Sequence, residues 1–450
     1  MLRSIFTLTF ITLAAAVSTA AGLTFSGTGS FSPITVTPES STGLDAIYVI
    51  YDASGVTASY TASTPSAEVV WQRYDSRGGG FAETIEVTRL GNVTTCTLTP
   101  DDCGLIIREN GRPSCFWITN YTNHHAHLIS ADVSADSDCA STFLNVVAEN
   151  AGDIRYYTIN GAPRILSRDI NVSFNTLTYD KTDNIYRQTP GLAVFESISA
   201  PLRIDAPLCD TSFSISADRF LREWSLEETI ETSVIPASAV EAHTEAVQTE
   251  LDEDTTNEIK DGSTQLGGSA PVEILFSAAV TDAAVYTEWQ FSRYSDFSIL
   301  DYRFFQTEVS NVFDETGTTY VRFVTADDSG ACEYISPSYE ISIGESRLQC
   351  PNAFSPANQD GVNDEWKVSY KSIVSFECHI FNRWGVKITE LTQPWQGWDG
   401  RFGGKFVPSG VYYYVIKARG SDGKEYNLSG DINVINYSER PGTSGDSPAE

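Results

Sequence analysis

Three histidines lie close together in the first half of the chain. His124, His125 and His127 form the only histidine cluster in the sequence. On a β-strand, His125 and His127 would share one face, where two imidazoles could clamp Zn²⁺ or Cu²⁺. A third and a fourth ligand are not evident from the sequence. We therefore interpret the cluster as part of a hydrated loop between two modules.

A second group of polar side chains lies near the C-terminus. Asp360, Asn363 and Asp364 are weak metal candidates, because Ca²⁺ takes oxygen ligands, but their spacing is not that of an EF-hand loop. Asn and Asp are also preferred in turns, where their side chains bond to their own backbone. We interpret this segment as a structural turn and predict no cofactor.

The sequence contains no recognisable motif for nucleophilic or metal-dependent hydrolysis. It has no Gly-x-Ser-x-Gly elbow, no His-Glu-x-x-His pair and no phosphate-binding glycine loop. Carboxylates are abundant, but the predicted modules leave no room for a typical catalytic barrel. We expect a protein that is not an enzyme, with an unrecognised hydrolase site in residues 23–209 as an alternative.

The first 21 residues predict export. Arg3 precedes an apolar stretch over residues 5–17, and small residues follow, so we expect a signal peptide over residues 1–21. No later stretch reaches the ~20 apolar residues of a spanning helix. The net charge of −30 argues against nucleic acid and anionic membrane surfaces as partners.

Eight cysteines in an exported chain are candidates for disulfide bonds. They could pair in about 105 ways, so the sequence leaves the connectivity open. Cys350 and Cys378 fall within one compact C-terminal segment, and we predict that they pair. A bridge between Cys139 and Cys209 would close the second module.

Short alternating segments rich in aromatic and β-branched residues recur along all 450 residues. They predict an all-β fold of tandem β-sandwich modules. Trp71-Gln72 and Trp289-Gln290 are each followed by Arg-Tyr, which suggests an internal repeat with a buried Trp on a central strand. These repeats resemble polycystic-kidney-disease-type (PKD-like) or immunoglobulin-like modules, which usually serve as spacers or adhesive surfaces.

The pattern gives the following domain boundaries. We predict sandwiches over residues 22–119, 120–210 and 268–346, and a C-terminal domain over 349–437. Residues 211–267 are strongly acidic and predict a linker with strand pieces, of which residues 240–246 alternate and could pair with a neighbouring domain. A polar tail over 438–450 is expected to be disordered.

The C-terminal domain carries several multi-residue motifs in a fixed order. Residues 411–416 are apolar on both faces and predict a central strand. The Trp and Gly residues of the motifs are expected to hold the fold, and Arg383 and Asp399 are candidates for surface contacts. The motif residues are Asn382, Arg383, Trp384, Gly385, Gly397, Trp398, Asp399, Gly400, Pro408, Gly410, Gly430 and Asp431.

In their order, these motifs resemble the gliding-motility-associated C-terminal domain family, the type B sorting domains of type IX secretion in Bacteroidota. The resemblance implies export by a Sec signal through the periplasm, followed by recognition at the outer-membrane type IX translocon. It also implies attachment to the cell surface or release into the medium.

We therefore expect a secreted or surface-anchored modular protein whose upstream sandwiches act as an adhesin or spacer. The alternative is a carbohydrate-binding surface protein that stacks sugars on Trp117, Tyr121 or Trp395, and the sequence does not identify the surface glycan or host ligand. Exposure of these aromatic rings would favour the alternative, and burial would exclude it.

Overall fold

The computed structural model describes residues 22–198, 200–249, 257–259 and 265–436. The predicted signal peptide and C-terminal tail lie outside these ranges. The chain divides into two compact units: the first runs to Thr176 and includes Thr189–Ala237, and the second comprises Leu177–Gln188 and the residues from Ser238 onward. Strands and stacked sheets dominate both, which confirms the predicted all-β class. In the described ranges, no helix is long and apolar enough to span a bilayer.

The first sandwich has Trp71 at its centre. The indole Nε1 of this buried residue donates to Thr94 Oγ1 of the facing sheet at 3.0 Å. One sheet has the strand order β1-β4-β8-β7, and the other has the order β2-β3-β10-β9-β5-β6. The elements are β1 (Thr24–Ser26), β2 (Ile34–Val36), β3 (Ala46–Ile50), β4 (Thr57–Thr61), β5 (Val69–Tyr74), β6 (Glu83–Ile85), β7 (Thr88–Leu90), β8 (Val93–Thr97), β9 (Cys103–Glu109) and β10 (Arg112–Asn120), with 3₁₀ turns at Ser40–Thr42, Gly79–Phe81 and Tyr121–Asn123.

The second sandwich forms sheets in the orders β11-β12-β17, β13-β14 and β16-β15-β18-β19. Its elements are β11 (His127–Val133), β12 (Ser141–Glu149), β13 (Ile154–Tyr157), β14 (Pro163–Leu166), β15 (Ile170–Asp180), β16 (Ile185–Phe195), β17 (Leu202–Asp205), β18 (Ser214–Ser216), α1 (Arg219–Glu223) and β19 (Thr229–Glu231).

This sandwich continues past residue 210, where the sequence predicts a linker. Strand β18 pairs with both β15 and β19, so residues 214–231 belong to the sandwich. Phe213, Ile215 and Phe220 are fully buried there. The acidic composition of the segment suggested that it buries too little apolar surface to offset the entropy lost on ordering. The burial of these three side chains supplies that surface.

A buried ion pair of the second sandwich is hydrogen-bonded to the first sandwich through Tyr121. Arg168 and Asp218 are almost fully buried, and Arg168 Nη1 lies 2.8 Å from Asp218 Oδ2. Tyr121 follows the last strand of the first sandwich, and its hydroxyl donates to both Asp218 carboxylate oxygens at 3.0 Å. Burial and the adjacent Asp218 carboxylate raise the pKa of Tyr121. The same Asp218 also caps α1 by accepting from Leu221 N.

The third sandwich repeats the buried tryptophan of the first. Trp289 is fully buried against Phe276, with ring centroids 5.4 Å apart. The sheets run β20-β22-β25 and β21-β28-β26-β23-β24, with β27 on β26. The strands are β20 (Ala242–Gln248), β21 (Gly267–Gly268), β22 (Val272–Val280), β23 (Tyr286–Ser292), β24 (Tyr302–Phe304), β25 (Glu308–Phe313), β26 (Gly317–Ala326), β27 (Glu333–Ile335) and β28 (Tyr339–Ile343). Strand β20 lies in the acidic segment and pairs with β22, as the alternation of residues 240–246 predicts.

The C-terminal domain has its own core, centred on Trp366, Ile380 and Ile416. Its main sheet runs β30-β37-β36-β32-β33, and two short pairs, β29-β31 and β34-β35, flank it. The strands are β29 (Arg347–Gln349), β30 (Ala353–Phe354), β31 (Ser369–Lys371), β32 (Ile373–Phe381), β33 (Lys387–Leu391), β34 (Arg401–Phe402), β35 (Lys405–Phe406), β36 (Gly410–Gly420) and β37 (Glu425–Val434).

Candidate functional site

The turn between β32 and β33 presents an exposed tryptophan. Asn382 Oδ1 accepts from the backbone N–H groups of Trp384 and Val386, both at 3.0 Å, and Gly385 takes a φ of 76°. This closed turn leaves the Trp384 side chain 77% exposed. The Arg383 guanidinium lies 5.3 Å from the centre of the Trp384 ring. The expectation that Trp384 holds the fold is wrong, because its ring lies outside the core.

The central strand β36 has one open face. Tyr412, Ile416 and Ala418 point into the core, whereas Val411, Tyr413 and Val415 are exposed. The prediction of a central strand is confirmed by pairing with β32 and β37, although only one of its two apolar faces is buried. Only one layer covers this sheet, so alternate apolar side chains of β36 remain in solvent.

The segment around Trp398 has a structural role. Trp398 is 2% exposed, its indole Nε1 donates to the Arg401 carbonyl at 3.1 Å, and its backbone pairs with Trp366. A side chain at Gly400, whose φ is 71°, would meet Pro356 Cγ at 2.4 Å. Asp399 is exposed and accepts from Arg401 N at 3.0 Å.

The remaining motif residues shape the two long strands. The Pro408 carbonyl accepts from the Tyr412 hydroxyl at 3.2 Å. Gly410 is the first residue of β36 and has a positive φ of 152°. At Gly430, an added Cβ would lie 2.6 Å from the Tyr414 hydroxyl. Asp431 is exposed beside it. An added Cβ at Gly397 would meet the Glu365 and Lys367 side chains.

The carboxylates of the predicted turn bond to their own loop. Asp360 Oδ1 accepts from Val362 N, and Asp364 Oδ2 accepts from Gly361 N, both at 2.9 Å. Asn363 adopts a φ of 54°, in the left-handed region that Asn tolerates. These bonds are those of a turn, and its role as a metal site stays a weak prediction.

The cysteines do not pair as predicted. Cys350 and Cys378 are free thiols, and burial raises the pKa of Cys378 to about 12. Cys139 is disulfide-bonded, but Cys209 is not its partner. Proximity in sequence was a poor guide, because a disulfide also requires the two Cβ atoms to approach within about 4.5 Å.

The aromatic platforms proposed for glycans are mostly unavailable. Trp117 is 1% exposed and Tyr121 is fully buried, both in the core that the first two sandwiches share. Trp395 is half-buried against the C-terminal core. Burial excludes Trp117 and Tyr121 as stacking surfaces, so the carbohydrate-binding hypothesis loses two of the three residues on which it rested.

The histidine cluster gains a neighbour that the sequence did not indicate. His124 Nε2 lies 2.6 Å from Asp102 Oδ2, whereas His125 and His127 both lie beside Glu228. Glu228 follows these histidines by about a hundred residues. No sequence spacing could have indicated it, because it falls in the predicted linker.

Comparison with known families defines the class of this protein. Residues 348–434 match the family model of the CHU_C type IX secretion signal domain, and residues 131–232 match that of a fibronectin type III domain. The resemblance to type IX sorting domains is thereby confirmed. The chain combines β-sandwich modules with a C-terminal signal domain of a kind that directs proteins to the cell surface or the medium.

No curated protein matches the chain at a significant level. Similar solved structures include the tetra-tandem repeat in the extending region of a large adhesion protein, at 11% identity and a TM-score of 0.22, covering 86% of this chain and 97% of that one. Sidekick-1 immunoglobulin domains 1–5 match at 12% identity and a TM-score of 0.23, covering 85% of this chain and 77% of that one. Dimeric latent PorU from Porphyromonas gingivalis matches at 9% identity and a TM-score of 0.17, covering 73% of this chain and 36% of that one.

Proposed function

We propose that this chain is a non-enzymatic surface or secreted protein whose C-terminal domain is recognised by the type IX translocon through the β32–β33 turn. The observation that carries the proposal is the 77% exposure of Trp384 within a domain that matches a type IX secretion signal. A large aromatic side chain held in solvent by a rigid turn is a typical anchor for a protein partner.

The turn also offers charge beside the ring. Arg383 stands over the Trp384 ring and is itself exposed. Aromatic and Arg side chains are enriched in the energetic centres of interfaces. Close by in the sheet, the exposed Val411, Tyr413 and Val415 of β36 extend the apolar surface that a partner could cover.

The test is export of the full chain carrying Trp384→Ala in a Bacteroidota host. We expect the variant to fold normally but to accumulate in the periplasm, because it lacks only the exposed anchor. Immunoblots of periplasm, cell surface and medium measure the distribution. The matched control is Phe402→Ala, which removes another exposed aromatic ring of the same domain (52% exposed). Equal export of both variants would contradict recognition through Trp384.

The upstream sandwiches serve, in this proposal, as a spacer that displays an adhesive surface. A spacer needs modules that do not hinge freely. Within the first unit, the first two sandwiches share a core that includes Trp117, Ile154 and Phe220. The Tyr121 bond to Asp218 ties them further. This shared packing supports a rigid display role.

A further inference from the structure

Two histidines and one glutamate converge at the edge of the second sandwich. His125 lies two residues before His127, the first residue of β11, and Glu228 lies just before β19. The two imidazole rings are 3.9 Å apart between centroids. Their ligating nitrogens and a Glu228 oxygen all lie within 4.8 Å of one another.

The distances fit a common centre. Glu228 Oε1 lies 3.0 Å from His125 Nε2 and 3.2 Å from His127 Nδ1. Two ligands bound to Zn²⁺ at about 2.0–2.2 Å are separated by about 2.9–3.5 Å when they subtend roughly 90–110° at the ion. Both distances from Glu228 fall in this range, and the two histidine nitrogens lie within 4.8 Å of each other, so a small movement of the rings brings all three ligands to one ion.

The surroundings hold the ligands in place. Glu228 Oε2 accepts from Leu128 N at 3.4 Å, which orients the carboxylate. The His125 ring lies against the buried Tyr121 ring, with centroids 5.5 Å apart. Arg168 Nη2 donates to the His124 carbonyl at 2.8 Å and so fixes the backbone before the site. Support of this kind raises metal affinity because the ligands are already positioned.

A second His and carboxylate cluster in the C-terminal domain lacks these properties. His379 has Nε2 at 2.9 Å from Glu377, but its other nitrogen faces Glu390 at 3.7 Å. One ring cannot direct both nitrogens at the same ion. Lys387 also lies 2.8 Å from Glu390 and neutralises it. We interpret this cluster as a cross-strand ion network, and it provides a control.

We propose that His125, His127 and Glu228 form a binding site for a divalent transition-metal ion, with Zn²⁺ as the fitting example. Two neutral imidazoles and one carboxylate are ligands that such an ion prefers. Three protein ligands leave a coordination position for water. His127 is half-exposed, with its side chain 51% accessible, so the ion can enter from solvent.

The test is a titration of the metal-stripped full chain with Zn²⁺ by isothermal calorimetry. We expect one equivalent to bind at this site, and Glu228→Gln or His127→Ala to weaken that binding at least about tenfold. His379→Ala should leave it unchanged. Circular dichroism of each variant checks that the fold is retained, and Glu228→Gln is nearly isosteric.

Thermal unfolding gives a second readout. Zn²⁺ that binds only the folded chain should raise its unfolding temperature, and Glu228→Gln should reduce that rise at the same Zn²⁺ concentration. Absence of Zn²⁺ binding by the parent chain, or equal binding by Glu228→Gln, would overturn the proposal. Neither result bears on export, because the site lies outside the signal domain.

Discussion

At the scale of the residue, Asp218 carries a buried charge with partners in several parts of the first unit. It is fully buried and bonds Arg168, Tyr121 and the start of α1. Asp218→Asn would leave the Arg168 guanidinium buried without a counter-charge, and we expect a loss of about 3–5 kcal/mol in unfolding free energy. Calorimetry of the full chain measures this loss in the transition of the first unit.

The matched control for Asp218→Asn is Glu315→Gln. Glu315 lies 3.0 Å from Arg293, but the two side chains are 74% and 67% exposed. Exposed pairs contribute at most about 1 kcal/mol. If the two substitutions cost the same, the buried pair would be no more important than a surface contact.

Also at the scale of the residue, the tryptophans show how well residue type alone predicts burial. Trp71, Trp117, Trp289 and Trp366 are fully buried, and Trp398 nearly so. The general preference of large apolar rings for the core therefore predicts most of them correctly. Trp395 is half-buried, and Trp384 is the clearest exception, because its exposure depends on a turn that closes on Asn382 rather than on the ring.

At the scale of the element, alanine substitutions at two turn glycines would distinguish the cost of backbone strain from the cost of steric crowding. Gly400 and Gly403 both have positive φ, 71° and 57°. Gly403→Ala meets no atom within 4 Å and should cost only the left-handed strain, about 1–2 kcal/mol. Gly400→Ala also strikes Pro356, so we expect about 1–3 kcal/mol more.

Thermal unfolding of the two full-length alanine variants distinguishes the two effects. A larger fall in melting temperature for Gly400→Ala would show that this turn is packed against the core. Equal falls would mean that Pro356 moves aside at no cost.

At the scale of the whole molecule, charge is distributed unevenly. Residues 350–437 carry nine basic and nine acidic side chains, whereas the full chain has a net charge of −30. The acidity therefore lies upstream of the C-terminal domain. A neutral domain with its own hydrophobic core is suited to act as a separable signal.

Separability can be measured with a fusion. We expect residues 345–450, placed after a Sec-exported reporter in a Bacteroidota host, to carry the reporter to the surface or medium, since residues 348–434 match a type IX secretion signal domain. The same fusion with Trp384→Ala should remain in the periplasm. Periplasmic retention of a folded, unaltered fusion would show that upstream modules take part in recognition.

The sequence by itself determined the fold class, the repeated buried tryptophan and the C-terminal signal domain. These features depend on local alternation and on contiguous motifs, which a linear pattern records. It also indicated the strand of residues 240–246, because period-two alternation survives in an acidic segment.

Only the tertiary structure decided which distant residues meet. The convergence of Glu228 with His125 and His127, the Arg168–Asp218 pair and the cysteine states all depend on contacts between strands far apart in sequence. The exposure of Trp384 and of one face of β36 likewise depends on which layers cover the sheet. Residue type and linear spacing do not reveal these contacts, because the arrangement of the sheets decides which distant residues pack against each other.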